Sequence, residues 1–150
     1  MAGKSLHETD CCVASESMIQ KSSFQETERD WIASVPPGFG VLFGQPLSIK
    51  VGRHIDEGDS MADESLDLVR QILATLPEVL RLAAAALERY EKNDQPVLAC
   101  LTRPYIWLGT ENDDEDKTLW TLVVERSDWP DFGYHIEFKG TDFVEIWAGD

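Results

Sequence analysis

The chain has 150 residues, enough for one domain to bury a core unaided by disulfide or metal, and 43% hydrophobic against 27% charged residues marks a globular protein. Thirteen Lys and Arg against 28 Asp and Glu leave a net charge of −15, which repels phosphate backbones and anionic lipid and so argues against nucleic-acid and membrane partners. The same field steers a basic protein partner inward, or simply keeps the protein soluble.

Residues 1–25 are rich in Ser, Thr, Glu and Lys with no sustained apolar period, the composition of a mobile arm, and residues 26–150 read as a single α+β domain. Cys11 and Cys12 are adjacent in that arm, and Cys100 in VLACL reads as a small buried apolar residue. Three such cysteines form no disulfide framework and have no zinc spacing, so a reducing compartment is expected. The first 30 residues lack the apolar core of a signal peptide and no run is long enough to span a bilayer, so the expected location is cytoplasmic.

From Trp31 the texture changes to short apolar runs bounded by Pro and Gly. FGVLF and LSIKVG read as hairpin partners, with Leu47, Ile49 and Val51 alternating against Ser48 and Lys50. The acidic stretch 53–63 is a connection, where His54, Asp56 and Asp59 imitate a metal or acid-base set in a setting that makes such residues commonplace. Leu66, Val69, Leu73, Leu76, Leu80, Ala83, Leu87 and Tyr90 then recur every three or four residues. Pro77 interrupts that stripe without shifting its phase, and Thr75 with Glu78 fits a capping box, which predicts helices over 63–73 and 76–92, with a single kinked helix as the alternative.

VLACL and YIWLGT follow as strands. ENDDEDK, residues 111–117, reads as a hairpin loop without the spacing or the glycine of a calcium-binding loop. LWTLVVER, GYHIEFKG and DFVEIWAGD form an antiparallel meander. The predicted fold is α+β: an antiparallel sheet of about five or six strands with a helix pair on one face, in the order β-β-α-α-β-β-β-β.

In the last hairpin, loop parity at Gly140 and Thr141 decides which set of side chains joins the core. An odd loop aligns Val144, Ile146 and Ala148 with Tyr134, Ile136 and Phe138. A two-residue loop swaps the sets. The odd loop segregates polar from apolar better, and puts Phe143, Glu145 and Trp147 beside His135 and Glu137.

Tyr105 and Trp107 could share that face, which would then carry rings among carboxylates, a surface suited to a protein partner unless the arm, through Trp31 or Phe24, covers it. Trp129, in the apparently long loop RSDWPDFG, is a further candidate anchor or a plug for the core. The candidate partner-binding residues are therefore Trp129, His135, Glu137, Phe143, Glu145, Trp147, Tyr105 and Trp107.

No nucleophile elbow, P-loop, zinc-helix motif or dinucleotide fingerprint occurs, so no catalytic residue, metal site or cofactor is expected. His135, with Glu125, Glu137 and Glu145 nearby, is the best acid-base candidate, and would need a cleft beside it.

The layout of strands, helix pair and strand-rich C-terminal half on a small acidic chain resembles that of bacterial immunity proteins, over residues 31–150. The resemblance implies a protein-binding role and carries over no individual residue. The reading is a non-enzymatic, acidic binding module for a basic protein. Its alternatives are a homo-oligomer using the aromatic face as its own interface, and a small hydrolase-like enzyme centred on His135.

Overall fold

The computed structural model describes residues 19–53, 61–109 and 118–149. Within them lies one mixed sheet of seven strands in sequence order: β1 (Gln25–Glu26), β2 (Asp30–Ser34), β3 (Ser48–Gly52), β4 (Leu101–Leu108), β5 (Leu119–Arg126), β6 (Trp129–Lys139) and β7 (Asp142–Gly149). Every neighbouring pair is antiparallel except β3 and β4, which run parallel. A parallel pair needs a crossover, and the helices supply it. They are α1 (Asp63–Ala74), α2 (Leu76–Tyr90) and the single turn α3 (Gln95–Leu98). The class is α+β, as expected. The strand count and the parallel pair were not anticipated.

The helical stripe becomes the core. Leu66, Val69, Ile72 and Leu73 of α1 and Leu76, Val79, Ala83 and Leu87 of α2 are buried against the sheet's inner face, where Ile49, Ile106, Leu122, Tyr134, Ile136 and Phe138 are almost wholly removed from solvent. Each large aliphatic side chain so buried contributes roughly 1.5–3 kcal/mol of transfer free energy.

Thr75 separates the two helices as expected, but without a capping box. Its hydroxyl donates back to the carbonyls of Gln71 and Ile72, and Glu78 pairs with Arg81 instead. Pro77 sits in the first turn of α2, where its missing N–H has no helical acceptor to lose.

Several local expectations are corrected. FGVLF is not a strand: Pro37–Phe39 form a 3-10 turn, Leu42 bridges only to Gln45, and the hairpin partner of β3 is β2. The proline and glycine spacing there favours turns over a ladder. Val97 and Leu98 lie in α3, with Asp94 accepting from the Val97 N–H as its cap. Cys100 is half-buried rather than buried, and its carbonyl accepts from the backbone and hydroxyl of Ser127.

Ile19 is buried in the core, its carbonyl accepts from Arg70, and Lys21 pairs with Asp63 at the start of α1. Lys21–Ser23 form a 3-10 turn and Gln25 opens β1, so the end of the predicted arm is structured. Its residues 1–18, the histidine and aspartates of the 54–60 connection, and the acidic hairpin loop lie outside the described residues.

Candidate functional site

The sheet face away from the helices carries the candidate residues. Register places Lys50 opposite Trp107, Tyr105 opposite Val123, Val123 opposite His135, and His135 opposite Trp147. Residues opposite each other in a ladder share a face, so one row crosses four strands. His135 and Trp147 stack at 3.9 Å between ring centroids with their planes nearly parallel, and the ammonium of Lys50 lies 4.0 Å from the Tyr105 ring centroid. Partial burial lowers the pKa of His135 and so favours its neutral form. Trp31 and Phe24 pack against the core instead of covering this face.

One residue pair further along, Glu137 faces Glu145. Hydrogen bonding to Glu145, desolvation and mutual repulsion all raise the pKa of Glu137, in that order. Two carboxylates held directly opposite each other oppose the fold wherever both are ionised.

The last hairpin resolves its parity by using both alternatives. Lys139 faces Asp142 across a two-residue turn, with Gly140 at φ 60°, the positive value a type II′ turn needs at its first central residue. Phe138 then faces Phe143, but Glu137 faces Glu145, so Val144 is the extra residue of a β-bulge. The bulge restores the odd-loop alignment for Ile146 and Ala148 and leaves Glu145 and Trp147 on the outer face. Phe143 is thereby corrected to the helix face, edge-on to Phe138. Among the eight candidates, Tyr105, Trp107, His135, Glu137, Glu145 and Trp147 come together and Phe143 does not.

Trp129 also departs from expectation. Residues 127 and 128 make a tight turn, and Trp129 opens β6 opposite Arg126 instead of riding a long loop. Arg126 grips both carboxylate oxygens of Asp128, at 2.8 and 2.6 Å, and lies over the rings of Trp129 and Phe132, which stack on each other at 4.2 Å. It also donates to the hydroxyl of Tyr134, which itself donates to Glu91 at 2.7 Å. Burial and the carboxylate of Glu91 push the Tyr134 phenol up to about 12. Trp129 remains 51% exposed, but this network ties it to the end of the core, away from the aromatic row.

The residues between Trp129 and Gly133 form a second irregularity. Arg126 faces Trp129 and Glu125 faces Gly133, so Pro130, Asp131 and Phe132 are extra. On the other side of β5, Thr102 faces Glu125 and Tyr105 faces Val123, leaving one extra residue on β4 at Arg103 and Pro104. Arg103 and Asp131 both have positive φ, 47° and 65°. The two bulges thus lie on either side of Glu125, one on β4 and one on β6.

A hollow of about 400 Å³ results. Tyr105, Val123, Phe132 and His135 are among its walls, Gly133 and Gly149 face each other across the β6 and β7 ladder within its lining, and Arg103 and Glu125 pair at 3.1 Å there. Desolvation, then the charges of Glu125 and Asp30, raise the pKa of the Tyr105 phenol.

No family model, curated protein or solved structure matches this chain. Function must therefore be argued from the site itself. No group of three or more metal-ligating side chains occurs among the described residues, and no helix among them is long and apolar enough to cross a membrane.

Arg103, Asp131, Phe132 and the two glycines of the hollow escaped the sequence reading. Pro104 and Pro130 were the available signal. A proline inside a strand pattern marks an edge or a bulge, and each of these sits in one of the two bulges.

Proposed function

We propose that the protein is a non-enzymatic binding module whose partner is a basic protein, engaged along β7 and the outer face beside it. The observation that carries this reading is β7 itself. It is an eight-residue strand at the end of the sheet, without Lys or Pro, and Phe143, Val144 and Trp147 remain 38–50% exposed on it. Natural edges are ordinarily shortened, charged with lysine or covered, because an open edge pairs with any suitable extended segment. The opposite edge, β1, is only two residues long.

Charge supports the choice of partner. A lysine or arginine arriving beside β7 would meet Trp147 and the Glu137 and Glu145 pair, gaining a cation–π contact while relieving the repulsion between the carboxylates. Strand addition supplies backbone hydrogen bonds, and the alternating side chains of the incoming segment supply selectivity. The immunity-type resemblance fits the same reading, with the partner a basic protein to be neutralised.

The test is capture from native lysate at low and high salt, using the wild type, Val144→Lys and Trp147→Ala as parallel baits. The expected result is a basic protein retained by the wild type, released by salt and lost from both variants, with the circular dichroism of all three unchanged. Equal capture by all three baits would overturn the site. A wild-type dimer at neutral pH in solution would favour a homo-oligomeric edge instead.

A further inference from the structure

We propose that the hollow between the two bulges is a binding site for a small zwitterion of the α-amino-acid class. The hollow is separate from the β7 edge in origin. It exists because β4 and β6 each carry extra residues beside Glu125, and because Gly133 and Gly149 face each other with no side chain on either. At about 400 Å³ it falls within the range of small-molecule pockets.

Gly133 does not need to be glycine for its backbone, since its φ is not positive, and a β-carbon there would lie 3.4 Å from the Val124 carbonyl and 3.7 Å from Val123, ordinary contacts. Glycine here leaves open space rather than permitting a turn.

The polar groups select the ligand's charge pattern. Arg103 and Glu125 meet through one contact, Nε to a single carboxylate oxygen, and the Arg103 side chain is 78% exposed. A single-contact ion pair so exposed is worth little and opens readily. A ligand bearing an ammonium and a carboxylate one carbon apart replaces that one pair by two, ammonium on Glu125 and carboxylate on the terminal nitrogens of Arg103, which can grip it bidentately. A plain anion would have to displace Glu125 and leave it unpaired. A plain cation would do the same to Arg103.

Around these charges, Val123, Tyr105 and Phe132 offer apolar and aromatic wall for the ligand's side chain. The Nε2 atom of His135 lies 3.9 Å from the position a Gly133 β-carbon would take, so the imidazole, favoured in its neutral form, faces the same space. Together these match a free amino acid with an apolar or aromatic side chain.

The test is amide chemical-shift mapping on the full chain with L-phenylalanine, N-acetyl-L-phenylalanine and L-phenylalaninamide as probes. The expected result is saturable shifts at Gly133, His135 and Gly149 with the free amino acid. Blocking either charge should weaken binding by about tenfold or more, the worth of one charge-assisted hydrogen bond. Arg103→Ala should weaken the free amino acid and strengthen the amide, which then no longer has to displace Arg103 from Glu125, and Gly133→Ala should weaken all probes by filling the floor.

Equal binding of the amide and the free amino acid would overturn the zwitterion assignment in favour of a simple cation site. Absence of saturable shifts with any probe at millimolar concentration would overturn the site itself. Neither outcome bears on capture of a protein at β7, so the two proposals fail separately.

Discussion

Glu137 and Glu145 face each other with no intervening residue, and the pKa of Glu137 is raised by its hydrogen bond to Glu145, by desolvation and by the repulsion between the two carboxylates, in that order. A folded-state pKa above the unfolded value means that the folded protein holds the proton more tightly. The pair's contribution to stability is therefore fully present below the unfolded glutamate value and is lost as pH rises through the folded one. Glu145→Gln replaces repulsion with an amide that can donate to Glu137. At pH 7 it should stabilise the fold by about 0.5–1 kcal/mol, the scale of a cross-strand pair. Urea unfolding at pH 7 and again below the unfolded glutamate value checks this: the gain should appear in the first and disappear in the second. The same substitution should weaken capture of a basic partner, so stability and binding would move in opposite directions at one residue.

At the scale of elements, the bulges decide where this sheet differs from a regular one. The β6–β7 turn depends on Gly140 at φ 60°, with open space where a β-carbon would stand. Gly140→Val thus meets no steric neighbour, and its whole cost is backbone conformation, about 1–3 kcal/mol. Denaturant unfolding should register that loss. Trp120 donates its indole N–H to the Gly140 carbonyl at 2.6 Å, so the chemical shift of the Trp120 indole proton reports whether the turn itself has moved.

The period-two runs from Leu119 onward made the meander legible, and the leucine stripe gave both helices nearly to the residue, because those patterns repeat over many positions. A bulge is one residue or three and leaves no period. Val144 displaced Phe143 to the helix face, and Pro130, Asp131 and Phe132 turned an apparent loop into strand, on the strength of local geometry alone. The hollow, which depends on two bulges being neighbours, was invisible until the strand order was known. The parallel β3 and β4 pair was hidden for a related reason: whether a helical crossover returns its strand to the same edge is a tertiary choice.

Across the whole molecule, two features pull against each other. Among the described residues the sheet ends in an unpaired eight-residue edge carrying exposed Val144 and Trp147, which favours association of copies, while a net charge of −15 on each copy opposes it. Self-repulsion between approaching copies acts over about 8–10 Å at moderate salt, so it guards the edge before any strand hydrogen bond can form. On the proposed reading a basic partner would feel the opposite force at the same edge, and charge would provide the specificity that the apolar edge lacks, rejecting a second copy while admitting a cationic segment. The guard should fail when the charge is titrated away. Light scattering should find a monomer at pH 7.5 and self-association as pH approaches the sequence pI near 4.4. Val144→Lys should suppress that association, because a lysine on the edge blocks strand pairing. Equal association of the variant would mean that the acid-driven contact lies elsewhere and that β7 is not the adhesive edge.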